Sequence, residues 1–222
     1  MNELDLLLAR VRFSTAMSDL GVLVVSQLSM ADYVASLSRT CLFQLHQLRL
    51  VRSSLNEESV KTFVHAFVSS RLDYCNSLLY GVSNELLQKL QVIQNVAARV
   101  VTGARKFDHI TPVLRELHWL PVRQHIGFKL AMTVYKCLHG LVAPYLADDC
   151  VLVSSVASRR HLRSADTRKL VVWRTQTVIG DRDFAVSCAA VWNSLPTDVR
   201  VSSLSAATFA RHLKACLFHR PS

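Results

Sequence analysis

The chain has 222 residues, half of them hydrophobic, with 26 Lys and Arg against 16 Asp and Glu for a net charge of +10. That length affords one large core or two small ones, and the apolar content excludes general disorder. The longest uncharged run, Phe184 to Thr197, has 14 residues and contains Asn193, Ser194 and Pro196, which is too short and too polar for a membrane span of about 20 residues.

Glu3 and Asp5 stand where a secretion signal would carry its basic region, so an intracellular protein, nuclear or cytoplasmic, is expected. Six glycines and five prolines are few for this length and favour long helices over a sandwich of short strands. The six cysteines are dispersed, with no Cys-x2-Cys pair, and read as reduced, structural thiols.

In chain order, Asp19-Leu20-Gly21-Val22-Leu23-Val24-Val25 is apolar after its first residue and predicts a short buried strand. From Ala31 to Arg52, Val34, Leu37, Cys41, Leu45 and Leu48 recur at helical spacing. A second helix is expected from a capping box at Ser54-x-x-Glu57. It should run through Phe63, Phe67 and Leu78 to Tyr80, with Gly81 as its left-handed stop. A third, capped near Ser83, carries Leu86, Leu90, Ile93, Ala97 and Val101 and stops at Gly103.

Thr111-Pro112 predicts a short helix, and Pro121 opens another, with Ile126, Leu130, Val134 and Leu138 on one stripe up to Gly140. Leu170 to Trp173 and Thr177 to Ile179 read as short strands between basic turns. A last helix starts at Ser205 and bears Phe209, Leu213 and Leu217. The expected fold is mainly α. Residues 1–30 form a short N-terminal strand region, 31–140 a helical bundle, and 141–222 a basic, mixed α/β segment. Phe63, Phe67, Leu90, Ile93, Trp119, Leu130 and Val134 are the expected core of the bundle.

Three blocks stand out: Ser70-Arg71-Leu72-Asp73-Tyr74-Cys75-Asn76-Ser77-Leu78-Leu79-Tyr80-Gly81, then Leu114-Arg115-Glu116-Leu117-His118-Trp119-Leu120-Pro121-Val122-Arg123, then Ala190-Val191-Trp192-Asn193-Ser194-Leu195-Pro196. Together and in this order they resemble the region that follows the polymerase palm in jockey-like non-LTR (LINE) retrotransposon reverse transcriptases. Leu20-Gly21-Val22 resembles the strand that closes the palm, and Leu28-Ser29-Met30 follows it. That family has Asp where this chain has Val25.

The resemblance implies that 1–30 is a palm remnant, 31–140 a thumb and 141–222 the tail, of an RNA-directed DNA polymerase whose catalytic palm is absent. A truncated product without polymerase or endonuclease activity is therefore expected. Its implied partner is RNA or an RNA–DNA hybrid held by the backbone, without a cofactor. The alternatives are a helical module for protein interaction or self-association and a decaying element product with no role. Self-association would use apolar residues that the palm would have covered: Leu6, Leu7, Leu8, Leu20, Val22, Val24 and Val25.

No catalytic or metal site is expected. Tyr145-Leu146-Ala147-Asp148-Asp149 imitates the Tyr-x-Asp-Asp metal turn of such polymerases, but its spacing is one residue too long and no apolar strand precedes it. His212-x3-Cys216-x2-His219 shares a helix face yet lacks a fourth ligand.

The basic residues are the candidates. Residues 151–222 carry +7 of the net charge, and polyanion binding follows from such an excess. Arg159, Arg160, His161, Arg163, Arg168, Lys169 and Arg174 are the densest patch, with Trp173 among them. Arginine pairs with phosphate and tryptophan stacks on an unpaired base. The competing reading is a solvated basic face around a core tryptophan flanked by Val171 and Val172. Arg99, Arg105 and Lys106 form a smaller cluster after the third helix.

Overall fold

A computed structural model describes the backbone of residues 3–6 and 9–12, and residues 16–25, 28–156, 168–201 and 204–219. Strand β1 (Glu3–Leu6) pairs antiparallel with β2 (Ala9–Arg12), and β3 (Ala16–Asp19) with β4 (Val22–Val25). The strand predicted over 19–25 is thus split by a turn. Leu20 and Gly21 have φ of 45° and 82°, the pair of positive values that a two-residue type I′ hairpin requires.

The hairpin folds back on helix α1 (Ala31–Val51) and buries Val22, while Val24 and Val25 are half-buried. The expectation that these valines lie uncovered is corrected for Val22, which joins the core with residues of α1, whereas Val24 and Val25 keep part of their surface. Leu20, at 82% exposure, does stand out. The side chains of Leu6, Leu7 and Leu8 lie outside the described residues.

On α1, Val34, Leu37, Cys41 and Leu45 are buried as the spacing predicts. Helix α2 (Glu57–Val64) is capped by Asn56, whose Oδ1 accepts the Ser59 N–H at 2.7 Å, so the cap lies two residues beyond Ser54. The ladder then widens into a π turn over His65–Ser69, resumes as α3 (Ser70–Asp73), and closes through a 3-10 turn, Asn76–Leu79.

The face that α2 and the π turn bury is Val60, Val64 and Val68, at i, i+4 and i+8. Phe63 and Phe67, expected in the core, lie outside it and stack on each other at 6.2 Å. Leu78 is exposed too. Only one stripe of this helix can face α1 and helix α4 (Asn84–Thr102), and the compact valines occupy it.

Helix α4 buries Leu87, Leu90, Ile93, Ala97 and Val101, and Gly103 ends it with φ 76°. Its last carbonyls are closed from another helix: Arg52 donates Nε–H to Val100 at 2.9 Å and an Nη2 hydrogen to Val101 at 3.2 Å. Gly81 stops the preceding turn at φ 73°, and a Cβ there would lie 2.7 Å from Cγ of Arg182. Glycine is required on both counts.

Helix α5 (Ile110–Glu116) starts two residues earlier than Thr111-Pro112 suggests. Helix α6 (Val122–Leu138) serves two cores: Val122, Ile126 and Leu130 pack in the first, and Ala131, Val134, Tyr135 and Cys137 in the second. Trp119, at the α5–α6 junction, is half-buried rather than fully enclosed.

The second core joins α6 to α8 (Phe184–Asn193) and α9 (Ala206–Phe218) around Trp192 and Phe209, whose rings lie 5.8 Å apart. Helix α8 falls in the uncharged run, which has no polar face to betray a helical period. Helix α9 is capped as expected, Ser205 Oγ accepting the Thr208 N–H at 3.2 Å. A one-turn helix, α7 (Pro144–Ala147), lies between α6 and α8 in the chain. The described residues are mainly helical, with two short antiparallel hairpins at the N-terminal end.

The strands predicted at 170–173 and 177–179 do not form. Leu170 makes an isolated bridge with Leu152, because its outward N–H and C=O are both taken by the Asn193 side-chain amide at 2.8 Å each. Thr177 to Ile179 instead turn into a 3-10 turn, Gly180–Arg182, with Val178 and Ile179 exposed.

Candidate nucleic-acid interface

The basic segment is positioned by the third block of the sequence. Trp192 is buried and donates its indole N–H to the Arg168 carbonyl at 2.8 Å. Asn193, next along α8, clamps Leu170 from both sides. On the other edge, Val153 N–H donates to Lys169 and Val171 N–H to Val151, at 2.9 and 2.8 Å. Residues 168–171 are thereby pinned, with Leu170 and Val171 in the core.

Beyond this anchor the chain turns outward. Val172 and Trp173 are about half exposed and Arg174 is exposed. The core reading of Trp173 is therefore replaced: its flanking Val171 is buried, but the indole presents a face to solvent. Arg168 and Lys169 are half-buried, Arg168 with φ 52° and with its Nε enclosed and unpartnered. Arg159, Arg160, His161 and Arg163 lie outside the described residues.

The second cluster divides. Arg99 is turned inward on its own loop, donating to the carbonyls of Arg105 and Asp108 at 3.2 Å each. Asp108 in turn accepts the Arg105 backbone N–H at 2.6 Å. Arg99 thus shapes the loop, and Arg105 and Lys106 stand free on it. Lys106 lies 5.7 Å over the ring of Phe107, which is 90% exposed. Phe107 is a candidate stacking residue that periodicity missed, although an aromatic between Lys106 and Asp108 outside any helical stripe was the signal. No hydrogen bond, ion pair or ring contact joins this loop to residues 168–174 among the described residues.

Two further arginines of the tail, Arg182 and Arg200, are engaged within the fold. Arg182 donates to the carbonyls of Leu28 and Leu78 at 2.9 and 3.3 Å, tying the tail to the hairpin linker and to the first block. Arg200 is 4% exposed, and burial holds its pKa below the ordinary arginine value. The +7 of the tail is therefore not all available to a ligand.

The three blocks act as joints. In the first, Asp73 accepts from His125 at 2.9 Å and from Lys129 at 2.7 Å, both on α6, and the Tyr74 hydroxyl donates to Leu20 in the hairpin at 2.6 Å. In the second, the Leu120 carbonyl accepts from Gln94 and the Val122 N–H donates to Gln91, both on α4, at 2.9 Å. The third holds the tail, as described.

Tyr145 and Asp148 are exposed around α7. Among the described residues no three His, Cys, Asp or Glu gather into a metal site, His212, Cys216 and His219 included. All six cysteines are free. Burial pushes the Cys41 thiol up to about 11 and the Cys137 thiol to about 12, so neither is a thiolate nucleophile near neutrality. No helix of the described residues is long and apolar enough to cross a membrane.

Compared with protein-family models, curated proteins and solved structures, the chain matches none.

Proposed function

We propose that this chain is the thumb and tail of a non-LTR retrotransposon reverse transcriptase, binding RNA or an RNA–DNA hybrid through the phosphate backbone and carrying out no polymerisation on its own. The observation that carries this reading is the coincidence of the three family-like blocks with the three joints of the fold. Such blocks mark an architecture rather than a catalytic centre, since they hold helices together. The exposed Trp173 beside Arg174 adds a stacking face next to a phosphate partner.

The test is a binding titration with labelled single-stranded RNA and an RNA–DNA hybrid at several salt concentrations. Replacing Arg159, Arg160, Arg163 and Arg174 by alanine should weaken binding about equally across sequences. Each lost phosphate contact should lower the log–log salt slope by about 0.7–0.9. Unchanged affinity and slope would leave the basic tail as a solvated face.

The second reading is self-association, favoured by the Phe63–Phe67 stack left on the outside of α2 and the π turn. It predicts a concentration-dependent mass in light scattering that is insensitive to salt and lost in Phe63→Ser plus Phe67→Ser.

A further inference from the structure

A cleft of about 670 Å³ opens between α4, α5, the start of α6 and the end of α9. Its floor is apolar, with Leu87, Leu114 and Leu217, and its rim holds Arg115 and Arg123. No carboxylate lines it. Both arginines are exposed, and neither is ion-paired among the described residues. Arg123 is steadied by a hydrogen bond to the Asn84 amide oxygen. An acid-free rim with two guanidinium groups selects an anion, and arginine's planar fork suits phosphate oxygens.

The cleft is also dense in amides. On α4, Gln88, Gln91 and Asn95 recur at i, i+3 and i+7. Gln91 is internal: it accepts the Val122 N–H and donates to Gln94 and Asn95 at 3.0 and 2.8 Å. That arrangement occupies the Asn95 carbonyl and leaves its NH2 as a donor. Opposite, on α6, Gln124 is 5% exposed, and its Oε1 is buried with no hydrogen-bond partner. Leaving such an acceptor unsatisfied is costly. Gln124 is among the residues lining the cleft, and the last torsion of glutamine is soft, so its amide is free to reorient toward a donor bound there.

Phosphate-selecting cations on a rim, with an amide donor and an unsatisfied amide acceptor inside, fit one class of ligand. We infer that this cleft binds a nucleotide unit of single-stranded RNA, its phosphate on Arg115 and Arg123 and its base edge on Asn95 and Gln124. Unpaired bases are read in this way, by hydrogen bonds to their exposed edges. The inference rests on the nucleic-acid reading above and gives it a second contact surface, separate from the basic tail.

The experiment is fluorescence anisotropy of the full chain with labelled oligo(A), oligo(U) and oligo(C), across a salt series. Arg115→Ala plus Arg123→Ala should weaken all three roughly tenfold or more, the worth of a lost charged hydrogen bond. The salt slope should fall by about 0.7, the value for one neutralised single-strand phosphate. Arg115→Lys plus Arg123→Lys, which keeps the charge, should retain the slope. Gln124→Leu should leave the slope alone and change the preference among the three oligonucleotides by roughly two- to tenfold.

A wild-type chain that binds no oligonucleotide overturns the inference and the underlying reading together. Binding that is lost in the tail quadruple variant, but unchanged in affinity, slope and preference by the cleft variants, overturns the cleft alone. Thermal melts of each variant separate lost contacts from lost fold. If the double alanine variant melts early, Arg115→Gln plus Arg123→Gln takes its place.

Discussion

Trp192 and Trp173 lie 19 positions apart in one segment, and the structure assigns them opposite roles that a matched pair of substitutions separates. Trp192 is 1% exposed, its ring faces Phe209, and its N–H holds the Arg168 carbonyl. Trp192→Ala should cost about 3–5 kcal/mol for the cavity alone. At about 2–4 °C per kcal/mol for a chain of this size, Tm should fall by roughly 6–20 °C.

Trp173 is 52% exposed, and substitutions at such sites usually stay within about 0.5 kcal/mol. Trp173→Ala should therefore move Tm by only about 1–2 °C. Its effect belongs in binding: losing one stacked base is worth about 1–3 kcal/mol, or roughly five- to a hundredfold in single-strand affinity, with the salt slope unchanged. Circular dichroism melts and anisotropy titrations on the same preparations measure both. A drop in Tm of more than about 6 °C in Trp173→Ala would refute the outward placement. An unaltered affinity at unaltered Tm would refute the stacking role.

Two further predictions concern the joints. Arg52→Met removes the charged donors that close α4 and should lower Tm by about 4–8 °C, from about 2 kcal/mol of lost charged hydrogen bonds. Arg49→Met, the same charge change on the exposed side of α1, should lower it by no more than about 2 °C, and equal effects would remove the capping argument. Burial holds the His125 pKa below its ordinary value despite the pull of Asp73, with Lys129 and Lys214 adding to the depression. Below about pH 6.5 the unfolded chain therefore binds the proton that the folded chain resists. The stability contributed by neutral His125 is present above that pH and is lost as pH falls through the depressed folded value. His125→Gln should flatten the decline of Tm between about pH 7 and about pH 5, and a decline that stays as steep would show that His125 is not its source.

The sequence by itself determined what depends on neighbours in the chain. The stripes of α1, α4 and α6 were legible because 3.6-residue spacing is a property of the helix alone. So were the stops at Gly81, Gly103 and Gly140, which take positive φ with no Cβ to oppose it, and the cap at Ser205.

Tertiary structure decided which of two apolar stripes on α2 and the π turn meets the core, because α1 and α4 pack against the face of Val60, Val64 and Val68 and leave Phe63 and Phe67 outside. It decided that Trp192 is an anchor and Trp173 a surface residue, though each has apolar neighbours in sequence. It also converted formal charge into structure. Arg52 closes a helix 48 positions away and Arg182 reaches a carbonyl 104 positions away, so a count of cations overstated what a nucleic acid could meet. The Arg115–Arg123 cleft was hidden for the same reason, since its walls come from α4, α5, α6 and α9 and adjoin only when both cores are packed.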